Sequence, residues 1–235
     1  MNFKSPLIPG TLLRRYKRFL ADVTLDTGES ITAACPNTGA MLGLNTPGSR
    51  VWLSRSDRVT RKYPHTWELV EVDGKGLIGV NTASPNHIAV EAIHAKLLPD
   101  LAGYAGLRQE VKYGRNSRID ILLEDGARKP CYVEVKNTHL FRKPELVEFP
   151  DCVTERGTKH LYELADMVAQ GARAAMLYLV QADFPQRLSL AADLDPNYVM
   201  AFMMARKAGV EAFALCCKVT TTEITALRAI PVLEP

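Results

Sequence analysis

The sequence predicts an α/β protein in two parts: a small barrel of five short strands, then a domain in which strands and helices alternate on a mixed sheet. Three observations predict it. Over the first 85 residues, turn signals separate short strand-like segments, with no convincing long helix. At Ser84-Pro85 the apolar residues switch to helical spacing. Beyond that switch strands and helices alternate, the pattern of a sheet covered by helices.

The barrel elements follow in order. Leu12 to Leu25 is a long polar-apolar stretch that reads as one strongly bent strand. Asp26-Thr27-Gly28 is a turn, so Glu29 to Ala34 pairs back as a hairpin. Val51 to Ser54, Thr66 to Val72 and Leu77 to Asn81 supply three more strands, the last two joined around Asp73-Gly74. The natural five-strand candidate is an oligonucleotide-binding (OB) barrel.

In the second part, Ser84 caps a helix, Pro85 fits its first position, and Ile88, Ala92, Ile93 and Leu97 share its apolar face up to Pro99. Strands follow near Leu107 to Tyr113, Ser117 to Leu123 and Cys131 to Val135. A helix starts near Thr154 with Leu161, Leu164, Ala165 and Val168 on one face. The apolar run Ala174 to Val180 reads as a buried central strand. Pro196 opens another helix, Gly209 stops it, and Val210 to Val219 is a strand; beyond Thr220 the pattern is ambiguous. The expected domains are 1–84 and 85–235.

The 235 residues, 47% hydrophobic and 23% charged, suffice for one large domain or two small ones, and exclude a disordered or coiled-coil chain. The apolar runs are too short for a bilayer span, and MNFKSPLIPG lacks the core of a signal peptide. Five cysteines, at 35, 131, 152, 216 and 217, show no CxxC spacing, which argues against a disulfide framework or a zinc site. A soluble, cytoplasmic protein that does not engage membrane is expected. There is no GxGxxG after a strand and no GxxxxGK[ST], so a nucleotide or sugar enzyme has little support.

Charge is uneven. Residues 1–62 carry ten Lys or Arg against four Asp or Glu, whereas the rest carries 19 basic and 22 acidic residues. A polyanion-binding N-terminal part is expected. Arg14, Arg15, Lys17 and Arg18 cluster with Tyr16 and Phe19; Arg61 and Lys62 precede His65 and Trp67. Basic groups interleaved with aromatics suit backbone contact and base stacking. Phe19 and Trp52 are expected in the barrel core.

The sharpest chemical signal is Asp120, followed by Glu134-Val135-Lys136. Residues two apart on a strand share a face roughly 6.6 Å apart. Glu134 and Lys136 therefore share one, and a hairpin through Asp125-Gly126 brings Asp120 alongside. Two carboxylates bind a hard divalent cation, Mg2+ or Mn2+, and Lys136 orients water or offsets phosphoryl charge. The same triplet also suits a plain surface ion-pair ladder. Glu110 is a candidate further ligand. Arg118 lies nearby in sequence, and Arg156, Lys159 and His160, on the first turns of the Thr154 helix, can touch phosphate. Cys35 to Met41 reads as a packed or recognition loop, since nothing in the spacing identifies a base for a Cys35 nucleophile. His139 is a weak site candidate.

With these residues in view, the whole chain resembles the bacterial sugar fermentation stimulation protein family. The landmarks are Arg15-Tyr16-Lys17-Arg18-Phe19, Cys35-Pro36-Asn37-Thr38-Gly39-Ala40-Met41 and Arg61-Lys62-Tyr63-Pro64-His65-Thr66-Trp67-Glu68. Further on come Glu110-Val111-Lys112-Tyr113-Gly114, Ser117-Arg118-Ile119-Asp120, Glu134-Val135-Lys136, Phe149-Pro150-Asp151, Thr154-Glu155-Arg156-Gly157 and Lys159-His160-Leu161. The resemblance implies an OB-like N-terminal domain and an α/β/α, restriction-endonuclease-like C-terminal domain similar to the PD-(D/E)xK nucleases. That match is carried by Asp120, Glu134 and Lys136, with Glu110 as the extra acid; Ile119 stands where many members have proline. The resemblance implies DNA binding with a regulatory link to sugar use. Two functions remain open: a metal-dependent nuclease acting on DNA or RNA, and a non-catalytic DNA-binding regulator. A homodimer is also left open.

Overall fold

The computed structural model describes residues 1–114 and 116–234. The N-terminal part is a closed five-stranded barrel. Strands β1 (Ile8–Tyr16), β2 (Leu20–Leu25), β3 (Ser30–Ala34), β4 (Arg50–Arg55) and β5 (His65–Val72) run in the order β3-β2-β1-β4-β5. A parallel contact between Ala34 and Thr66 closes the ring. A further strand, β6 (Gly76–Gly79), pairs outside it on β5. Leu12, Val23, Val51, Leu53 and Trp67 fill the interior, each fully buried.

Three expectations are corrected. Leu12 to Leu25 is two strands: the chain reverses at Lys17-Arg18-Phe19, and Tyr16 pairs with Leu20. Lys17 (φ 51°) and Arg18 (φ 64°) adopt the left-handed backbone that a tight hairpin demands. Neither is Gly, Asn or Asp, so the turn carries no sequence signal. Phe19, expected inside, stands 52% exposed on this turn. Trp67, expected on a binding surface, is 0% exposed, and its indole N–H donates to the Leu69 carbonyl at 2.9 Å. It packs in the same core cluster as Leu12, Val23 and Val51, so it is unavailable for stacking.

The C-terminal part has a six-stranded mixed sheet. Its strands are β7 (Gly106–Tyr113), β8 (Ser117–Glu124), β9 (Cys131–Asn137), β12 (Arg173–Val180), β14 (Glu211–Val219) and β15 (Ile224–Ile230), in the order β15-β14-β12-β9-β8-β7. Buried β12 is parallel to both its neighbours, and the other pairs are antiparallel. Helix α1 (Pro85–His94) packs on the face carrying Val133 and Leu177. Helices α2 (Glu155–Ala169) and α3 (Pro196–Ala208) pack on the opposite face with Met176 and Tyr178. A small sheet of β10 (Leu140–Lys143), β11 (Leu146–Phe149) and β13 (Arg187–Leu190) lies beside them.

Capping fixes where α2 begins. Thr154 Oγ1 accepts the Gly157 N–H at 3.1 Å, while Asp195 accepts from the backbone of both Thr154 and Tyr198. The starts of α2 and α3 are thus locked together. The two parts of the chain share one apolar core and are hydrogen-bonded through Gln181, whose side-chain amide donates to Asn81 O and Asn137 Oδ1. Among the described residues, no helix is long and apolar enough to cross a membrane.

Candidate active site

Strands β8 and β9 pair through Leu123–Cys131, Leu122–Tyr132 and Ile121–Val133. The next step of that register reaches Asp120 and Glu134. Here a side chain replaces the ladder: the Val135 N–H donates to Asp120 Oδ2 at 2.7 Å. Asn86, in the first turn of α1, donates to Asp120 Oδ1 at 2.9 Å. Glu134 is 3% exposed. Its Oε1 accepts from Lys136 Nζ at 2.6 Å and from His160 Nδ1. Arg156 Nε–H faces His160 Nε2 at 3.4 Å, which leaves Nε2 as acceptor and the ring proton on Nδ1. Glu134 Oε2 is buried with no hydrogen-bond partner.

The two carboxyls differ sharply in acidity. Burial, reinforced by the Glu134 charge, pushes Asp120 up to about 6 against the pull of the Val135 N–H and Asn86. Burial also works against the Glu134 charge, but His160 and Lys136 outweigh it and hold that carboxyl below its usual value.

These groups line a cleft of about 500 Å³ between the sheet and the barrel. Asp120, Glu134 and Lys136 contribute one wall, and Arg156 and His160 of α2 another. The barrel supplies Arg18 and the loop residues Asn37 to Gly39. That loop is anchored from both sides. Arg15 donates to the carbonyls of Arg18, Asn37 and Gly39 at 2.8 to 2.9 Å. His139 Nε2 lies 3.3 Å from Asn37 Nδ2 and 3.2 Å from Asp151 Oδ2, which also accepts the Met41 N–H at 2.9 Å. A Cβ on Gly39 would lie 2.6 Å from Asp151 Oδ2, so only glycine fits this close approach. Burial tends to raise the Asp151 pKa, yet the His139 and Met41 hydrogen bonds hold it well below the carboxylate range.

The remaining sequence-predicted residues divide. Glu110 is exposed, at φ 55°, between the paired positions Gln109–Ile121 and Val111–Ile119, and does not line the cleft. Arg118 is exposed and donates to the Glu110 carbonyl. Lys159 reaches Ser117 Oγ at 3.1 Å, away from the cleft lining. Arg14 is paired with Asp22 at 2.8 Å. Lys17 is exposed on the β1–β2 turn. Arg61 donates to Thr66 Oγ1, Lys62 lies over the Tyr63 ring, and half-buried His65 starts β5. This last group flanks the Ala34–Thr66 contact that leads into the cleft loop. Sequence reasoning gave no site role to Asn86 or Asp151: Asp151 stood out only as a family landmark, and Asn86 carries no spacing signal. Asn37 entered only as part of the Cys35 to Met41 loop.

A divalent cation fits this donor set. Glu134 Oε2 is an orphaned, buried oxygen in the cleft, and a second carboxyl beside it resists ionisation. Among the described residues no group of three or more His, Cys, Asp or Glu forms a ready cage. The protein offers two carboxylates, the usual provision for a small hard ion that keeps water ligands.

Comparison with known proteins settles the ancestry. The profile of the SfsA N-terminal OB domain matches residues 13–80, and that of the sugar fermentation stimulation protein RE domain matches residues 83–223. The chain belongs to the sugar fermentation stimulation protein family. A homologue from Brucella anthropi is 59% identical over 99% of this chain and 100% of its own length. One from Brucella ovis is 58% identical, covering 99% of this chain and 97% of its own. In structure, the family member from Pyrococcus furiosus, solved in complex with Ca2+, superposes with a TM-score of 0.87 at 28% identity. That match covers 99% of this chain and 98% of the other.

Proposed function

We propose that this member of the family is a DNA-binding phosphodiesterase in which Asp120 and Glu134 hold a divalent cation, Mg2+ or Mn2+. The observation that carries the reading is the unpartnered Glu134 Oε2, buried in the cleft beside Asp120 and Lys136. The Pyrococcus furiosus relative, described in complex with Ca2+, supports a site for such an ion in this fold.

A bound divalent cation supplies Lewis-acid polarisation of the phosphodiester. The chain's own groups do the rest. Asn86 and the Val135 N–H orient the Asp120 carboxyl, and His160 orients Glu134. The Lys136 ammonium orients the attacking water and offsets charge gathering on the phosphoryl oxygens. Arg156 and Arg18, on opposite walls, bind the phosphates flanking the scissile one. Lys17, Arg61 and Lys62 extend this grip along the barrel.

A second reading has its own observation: Lys136 and His160 both engage Glu134, so the site is largely satisfied within itself. A DNA-binding regulator that retains the fold without turnover would look the same. Incubation of the purified protein with single-stranded, duplex and branched DNA and RNA, with Mg2+ or Mn2+, separates the two. Cleavage by the wild type that Lys136→Ala abolishes is expected. Salt-dependent binding without cleavage in any of these assays would favour the regulator.

A further inference from the structure

We propose that Phe19 is a stacking platform for one unpaired DNA base, so that the preferred ligand is a strand with unpaired nucleotides at the cleft rather than an intact duplex. This rests on the DNA-binding reading above and names the substrate class for the same site.

Phe19 is the aromatic of the β1–β2 turn, 52% exposed. Isolated exposed apolar residues are common; the setting of this one is not. It follows Lys17 and Arg18, both exposed cations, and Arg18 lines the cleft that holds Asp120, Glu134 and Lys136. Both cations take left-handed backbone, which side-chain-bearing residues adopt only where the surroundings hold them there.

The surroundings do hold them. Arg15 clamps the Arg18 carbonyl together with those of Asn37 and Gly39. The Phe19 carbonyl in turn accepts the Cys35 N–H at 2.7 Å. The ring is therefore carried on a braced turn next to Arg18, which lines the cleft. Binding there does not first require ordering a loop. A strand whose phosphates run past Lys17 and Arg18 into the cleft would lay one base on Phe19. In an intact duplex the base faces are covered by their neighbours and offer no such contact. Aromatic rings on a basic surface are the recurring device for gripping single strands.

Equilibrium binding of labelled oligonucleotides in chelator tests this, with wild type, Phe19→Ala and Phe19→Trp measured on a single strand and on a blunt-ended, fully paired duplex. Phe19→Ala is expected to bind the single strand about tenfold more weakly. Phe19→Trp should match the wild type, and all three should bind the duplex alike. If Phe19→Ala matches wild type on the single strand, or loses both ligands equally, the stacking role is overturned while DNA binding stands. If wild type binds neither ligand, the DNA-binding reading fails and takes this one with it.

Discussion

Lys136 Nζ lies 2.6 Å from Glu134 Oε1 in a pair whose side chains are only 14% and 4% exposed. Such a pair is largely desolvated, so removing one partner costs far more than at a surface. Lys136→Met is expected to lose roughly 3 kcal/mol of stability in chelator. Added Ca2+ should restore more of it in the variant than in the wild type, because the ion replaces the missing charge beside Glu134. Cleavage should fall at least about a hundredfold. Thermal unfolding with and without Ca2+, alongside a cleavage assay, checks both. A variant that cleaves like wild type would remove Lys136 from the mechanism.

Asp120 is raised to about 6 by burial and by Glu134. The folded protein therefore holds this proton more tightly than the unfolded chain. Its stability falls as pH rises from the ordinary carboxyl value of 3.8 towards 6, and stays lower above that. Asp120→Asn removes the penalty, which is at most roughly 3 kcal/mol. In chelator the variant should melt above wild type at pH 7.5, with the gap closing near pH 4. Equal melting temperatures at pH 7.5 would show that the carboxyl is not strained in the cleft.

His160, on the α2 wall of the cleft, donates to Glu134 through Nδ1, and Arg156 Nε–H faces its other ring nitrogen. His160→Phe keeps the bulk and removes the donor. Ca2+ affinity by calorimetry is expected to fall about tenfold, as for other residues that orient a metal ligand, and His160→Asn should recover part of it. Undiminished affinity in His160→Phe would leave the histidine a packing role.

Asp151 ties the barrel loop to the sheet through His139 and the Met41 N–H. Its pKa is depressed, so its stabilising contribution is complete above the ordinary carboxyl range and is lost only as pH falls below it. Asp151→Asn is expected to cost about 2 kcal/mol at pH 5, shrinking as pH falls below the ordinary carboxyl range. Urea unfolding across that range reads it. A cost confined to pH above 7 would point to another group.

Much of the candidate site was legible because strand geometry is local. Glu134 and Lys136 share a face by the two-residue repeat, and Asp120 on a neighbouring strand follows from the hairpin through Asp125-Gly126. The starts of α2 at Thr154 and of α3 at Pro196 were legible too, and Gly209 ends α3 at φ 103°, but Ser84, the expected cap of α1, has helical backbone and makes no side-chain capping bond. The β1–β2 turn was not. Left-handed Lys17 and Arg18 are held by Arg15 and by a loop more than 15 residues away, and nothing in their own composition marks a reversal. The place of Glu110 was not legible for a related reason: chain order puts it near Asp120, but the local φ of 55° sets it outside the regular pairing of β7 with β8.

What the sequence by itself determined is the two-part fold class, the main strands and helices, the switch at Ser84-Pro85 and the acid–acid–lysine group, since all depend on periodicity and neighbours in the chain. Only the tertiary structure decided that the barrel's Cys35–Met41 loop walls the cleft, that Trp67 is core while Phe19 is surface, and that His160 shares Glu134 with Lys136. These follow from contacts between segments up to about a hundred residues apart, such as Asn37 with His139. Such contacts are selected by packing and by the need to pair buried polar groups, which no local pattern encodes.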